Sequence, residues 1–86
     1  MTPYQKRIKT FFQDVAPVCA DQIVCKKSGA IEIKHSYFYH TQSSQEWARK
    51  ITEALRMADI PATVTDRDDF ANWPTTSYVV AIVNEA

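Results

Sequence analysis

The side chains whose types suggest chemistry are two histidines, two cysteines and one dense run of carboxylates in a chain of 86 residues. His35 and His40 would make a metal pair. They fall in a stretch that reads as a strand, where successive side chains alternate between faces, so a spacing of five sends them apart. Cys19 and Cys25 are Cys-x5-Cys, which matches neither the Cys-x2-Cys nor the Cys-x4-Cys spacing of common metal sites. Asp66, Asp68 and Asp69 are close enough in sequence to bind a divalent cation or to divide acid and base roles. No second acidic cluster completes a coordination shell, however, and Arg67 sits among them. The expectation is a solvated, self-capping loop in which Asp66 or Asp69 caps a short turn. None of the serines carries a local nucleophile signature. The single glycine, Gly29, excludes a Walker loop, a GxGxxG fingerprint, a GxSxG elbow and a GxxG clamp. The chain is read as noncatalytic, not an enzyme, with no cofactor and no bound metal.

Aromatic residues offer a different chemistry. The run His35-Ser36-Tyr37-Phe38-Tyr39-His40 is the feature that most invites nucleic acid, because RRM-type sheets stack bases on aromatics and one stacked base contributes about 1–3 kcal/mol. The RNP pattern is missing, and if Tyr37 and Tyr39 face the core only Phe38 is left to stack, with His40 on the same solvent side by parity. A second aromatic group, Phe70-Ala71-Asn72-Trp73-Pro74, brackets a polar turn, and Trp is enriched at interface hot spots. The candidate partner-binding residues are therefore Phe38, His40, Arg67, Asp68, Asp69, Phe70 and Trp73.

These residues have to be held by helices and strands with clear signatures. Thr2 as N-cap, Pro3 at the first helical position and Gln5 in a capping box open a first helix. Its apolar stripe is Tyr4, Ile8, Phe11, Phe12 and Val15, and Pro17 ends it. Gln22 to Lys26 reads as a short strand, turned by Ser28-Gly29, with a frayed helical extension through Cys19 and Ile23 as the competing reading. Ile31 to His40 alternates as a strand, although His35 falls on its core face and would need a bulge to leave it. Ser43 caps a second helix with Glu46 completing the box, and Trp47, Ala48, Ile51, Ala54, Leu55 and Ala58 form its buried stripe. Glu46 and Lys50 are expected to pair along it. Pro61 stops it. A short strand over 62–66, a loop over 66–76 and a strand over 77–83, apolar on both faces and hence central, complete the order.

The order αββαββ fixes an architecture. The second strand, second helix and third strand form a right-handed crossover, and the last strand fits between them as a split βαβ unit. The expected fold is α+β in two layers, a single domain over 1–86 with a three- or four-stranded, mostly antiparallel sheet and two helices on one face. Val79, Ala81 and Val83 would lie on one side of the last strand and Tyr78, Val80 and Ile82 on the other, and the set left uncovered by the helices would be shielded by the Phe70–Trp73 loop or by a second chain.

Composition bounds the partner. Apolar residues make up 45% of the chain and ten residues are aromatic, which excludes a disordered segment. No apolar run approaches the length of a membrane span, and the N-terminus has basic residues but no apolar signal region. The cysteines are expected to be reduced, in a cytoplasmic setting. Ten basic residues balance ten acidic ones overall. Residues 1–50 hold eight basic and four acidic, a net of +4, and residues 51–86 hold two and six, a net of −4. A chain polarised in this way can steer a partner.

The pattern Ser36-Tyr37-Phe38-Tyr39, then Gln45-Glu46-Trp47-Ala48, then Trp73-Pro74 and Ser77-Tyr78 resembles small proteins encoded by phages and prophages, over residues 36–78. The resemblance implies a phage-type accessory protein that acts stoichiometrically on a host protein complex, for example as an inhibitor of a nuclease defence. The expected function is protein binding, with a homodimer as one form of it and no membrane partner. The alternative is a small nucleic-acid binder using Lys6, Arg7, Lys9, Lys26, Lys27 and Lys34 with Phe38.

Overall fold

A computed structural model describes residues 1–14, 20–36, 43–72 and 76–86, the side chains of 70–72 and 76 excepted. The first helix, α1, spans Pro3–Asp14. Its capping box forms as the sequence predicts. The Gln5 N–H donates to Thr2 Oγ1 at 3.0 Å and the Thr2 N–H donates to Gln5 Oε1 at 2.9 Å. Gln5 does a second task that the capping pattern does not foretell. Its Nε2 donates to the carbonyls of Lys26 and Ala30, at 2.6 and 3.2 Å, and so ties the start of α1 to the turn of the first hairpin. That hairpin joins β1, Gln22–Cys25, to β2, Ile31–Ser36. Gly29 takes a φ of +100° within the turn, a conformation that a residue with a Cβ rarely adopts.

Helix α2 spans Ser44–Met57, with the Glu46 N–H donating to Ser43 Oγ at 3.2 Å. It ends at Asp59, whose φ of 56° carries the chain into a Schellman-type closure in which the Ile60 N–H reaches the Leu55 carbonyl at 3.0 Å. The helix is therefore closed before Pro61. On its exposed surface Arg56 pairs with Glu53, where the sequence suggested Glu46 and Lys50.

Among the described residues the sheet has four strands in the order β1-β2-β4-β3, each antiparallel to its neighbour. β3 is Thr63–Asn72 and β4 is Thr76–Asn84. The split βαβ arrangement and the central place of β4 are thus as expected. The third strand is not. Residues 66–72, read as loop because of their charge, continue β3 and pair with β4 from Asp66↔Ala81 to Asp69↔Tyr78. After a register shift of one residue the ladder resumes at Asn72↔Thr76. An edge strand explains the discrepancy: it needs one neighbour only, and its charged side chains remain in water or pair across the sheet. The expected continuation of β2 to His40 lies outside the described residues.

Both helices cover one face. Tyr4, Ile8 and Phe12 from α1 and Trp47, Ile51 and Leu55 from α2 join Ile31, Ile33, Val79, Ala81 and Val83 in one core. His35 stays on that face without a bulge. It is buried, its ring lies 4.7 Å from the Trp47 ring, and its Nδ1 is 3.1 Å from Asp21 Oδ2. A carboxylate only accepts, so Nδ1 carries the proton there. The Trp47 indole N–H donates to the Ile33 carbonyl at 2.9 Å, which satisfies the one polar atom of the largest core residue.

Candidate functional site

The face of the sheet turned away from the helices brings charged residues together. Pairing places Glu32 opposite Ile82, Lys34 opposite Val80, and Val80 opposite Arg67, while Tyr78 lies between Ser36 and Asp69. Alternation along each strand then sets Glu32, Lys34, Arg67, Asp69, Tyr78 and Val80 on one surface. Arg67 holds Glu32 with two parallel bonds, Nη1 to Oε2 at 3.0 Å and Nη2 to Oε1 at 3.2 Å. Lys34 Nζ lies 3.9 Å from Glu32 Oε1 and 3.6 Å from Asp69 Oδ2, and Arg67 Nη2 lies 3.7 Å from the same Asp69 oxygen. Lys26 adds a third cation at 3.8 Å from Glu32. The lattice is two carboxylates against three cations, and Lys34 also sits 5.7 Å from the centre of the Tyr78 ring.

Electrostatics follow from this arrangement. Only 6% of Glu32 is exposed, and burial alone would raise its pKa. The bidentate bond from Arg67 outweighs that effect, and with the charges of Arg67, Lys26 and Lys34 it holds the Glu32 carboxyl below its ordinary value. Arg67 is shifted upward by the same bond. Val80 is fully buried between Lys34 and Arg67 on this face. The long aliphatic stems of such residues shield apolar surface while their heads stay in water. The Phe70–Trp73 loop, expected as one cover for this face, has its side chains outside the described residues. Tyr78 and Ile82 remain partly exposed on either side of Val80.

The residues singled out from sequence divide. Arg67 and Asp69 belong to this lattice. Asp68 does not: it shares the opposite face of β3 with Asp66, whose Oδ2 accepts from the Ser44 hydroxyl at 2.9 Å at the start of α2. The three carboxylates read as one loop cluster are therefore split by the pleat of a strand, and neither Asp66 nor Asp69 caps a turn in that loop. Phe70 lies on β3, with its side chain undescribed, and Phe38, His40 and Trp73 lie outside the described residues. Glu32 and Tyr78 were missed as site residues, and Lys34 was assigned only to the alternative nucleic-acid surface. The signal for Glu32 and Lys34 was present, since they alternate with Ile31 and Ile33 and so had to face away from the core.

Of the cations assigned to a nucleic-acid surface, Lys26 and Lys34 are engaged by carboxylates of the chain itself. Cys25 is a free thiol and Cys19 lies outside the described residues. Among the described residues, no cluster of His, Cys, Asp and Glu is arranged to hold a metal, and no helix is long and apolar enough to cross a membrane. Comparison with protein-family models, curated proteins and solved structures finds no match to this chain.

Proposed function

We propose that this chain is a noncatalytic binding module that engages a protein partner with the outer face of its sheet. The observation that carries this reading is the pre-paired lattice of Glu32, Lys34, Arg67 and Asp69 on a face that neither α1 nor α2 covers. Side chains already held in place lose little conformational freedom on association. Arg67 is bidentate to Glu32 yet its side chain is 42% exposed, so its remaining donors are available to a partner. Arg and Tyr are among the residues that most often dominate protein interfaces, and Tyr78 flanks the lattice on the central strand. A rigid, mixed-charge surface of this kind suits a stoichiometric accessory protein, in line with the phage-type inhibitor of a host complex that the sequence pattern implies.

The test is affinity capture from host lysate with the wild-type chain and with Tyr78→Ala, followed by titration of the purified captured protein. The expected result is one protein bound at a fixed ratio to the wild type and at least about tenfold more weakly to the variant, whose circular dichroism is unchanged. Equal binding by the two would remove the sheet face from the reading. Capture of nucleic acid alone, with affinity falling steeply as salt rises, would replace the reading altogether.

A further inference from the structure

Two surfaces of this molecule carry cations, and they treat them in opposite ways. On the sheet they are paired within the chain. On α1, Lys6 and Arg7 are exposed, and no ion pair among the described residues engages either of them. They rim a groove of 640 Å³ between α1 and the C-terminal end of α2, whose floor is Pro3, Phe11, Ala58 and Ile60. Glu85 acts on the Tyr4 hydroxyl, whose pKa is raised mainly by burial, but makes no ion pair with Arg7. Asp59 does not line the groove.

We infer that this groove is a second docking surface, independent of the sheet face, for an apolar segment of a protein flanked by acidic residues. The apolar floor selects apolar side chains, and the unpaired Lys6 and Arg7 select carboxylates beside them by charge complementarity. Nucleic acid fits poorly. The floor is mainly aliphatic, and the Phe11 ring is packed edge-on against Phe12, with centroids 5.0 Å apart at 73°, while it remains part of the core's margin. An anionic membrane fits poorly as well, because stable electrostatic attachment takes about four to eight clustered cations and the described residues of the groove present two.

The experiment is an amide chemical-shift titration of the full chain with a synthetic amphipathic peptide, leucine along one side and glutamate along its flanks. A second peptide has lysine in place of every glutamate. The expected result is saturable shifts at Lys6, Arg7, Phe11, Ala58 and Ile60 with the acidic peptide, none with the lysine peptide, and an affinity about tenfold weaker in K6E/R7E. Both substituted residues are exposed, so the variant should keep the far-ultraviolet circular dichroism of the wild type. Any of four outcomes overturns the inference: equal binding of both peptides, shifts confined to the sheet face, insensitivity to the charge reversal, or tighter binding of a short DNA duplex or of anionic vesicles to the same residues. Self-association through these residues without peptide would assign the groove to a second copy and overturn it too.

Discussion

The two faces of one sheet are sealed by different physics. On the inner face Ile31, Ile33, Val79, Ala81 and Val83 are buried by two helices, in a core where the Trp47 indole N–H is bonded to the Ile33 carbonyl. On the outer face the central strand buries Val80 just as completely, and what surrounds it is charge. Close packing resists change on the first face, because a removed side chain leaves a cavity. On the second face the resistance resides in ion pairs whose heads reach water, so it responds to pH and salt. A small domain whose described helices lie on one side thus seals the other face of its sheet without making it greasy.

The contrast can be broken or sharpened by graded substitutions. The largest effect belongs to the inner face. Trp47→Ala should cost about 3–5 kcal/mol in chemical denaturation, because it empties a fully enclosed site and leaves the Ile33 carbonyl without its donor. A cost below about 1 kcal/mol would mean that the inner face is not held by packing. Next comes the outer face, where Arg67→Ala should cost about 2 kcal/mol by leaving a buried carboxylate to two lysines alone. The double variant Arg67→Met with Glu32→Leu should regain most of that loss, since apolar replacement of both partners removes the stranded charge. Failure to regain it would show that the lattice does more than shield.

A smaller effect distinguishes the faces by pH. The folded Glu32 carboxyl lies below its ordinary value of 4.5. The unfolded chain therefore binds this proton more readily, and the stabilisation is present above pH 4.5 and lost as pH falls from there through the lower folded value. Acid titration of Glu32→Gln should show a shallower fall over that window. The Trp47→Ala variant should keep the wild-type slope, and an unchanged slope in Glu32→Gln would exclude Glu32 from the acid response. The smallest effect is expected on α1: Lys6→Ala should change stability by less than about 0.5 kcal/mol, since no intramolecular pair holds that residue. A larger loss would reveal a structural role and weaken the case for a docking groove.

Elements whose signals are local could be read from the chain alone. Thr2 with Gln5 and Ser43 with Glu46 mark the helix starts because a cap and its partner are three residues apart. The apolar run on both sides of β4 marks a central strand for an equally local reason. The acidic stretch after Asp66 misled because its composition is that of a loop, while its strand character depends on pairing with β4 and on a salt bridge 35 residues away in sequence. His35 gave a similar difficulty. A histidine among core positions looks misplaced until Asp21, 14 residues earlier, supplies its acceptor and Trp47 its ring neighbour. Of the candidate site, Arg67 and Asp69 were legible by residue type. Their partners Glu32 and Lys34 needed the sheet order before they could be joined to them.

The charged run of β3 has one more consequence, which concerns crowding at high concentration. β3 is an edge of the sheet, and an edge offers unpaired backbone groups on which another chain can polymerise. An antiparallel approach of two copies centred on Arg67 would set Arg67 against Arg67 and Asp66 against Asp68. Like charges directly opposite one another destabilise such a ladder. The other edge, β1, is only four residues long. Edge-to-edge growth of the sheet is thereby disfavoured, and neutralising Asp66 and Asp68 is the change that would remove this protection first.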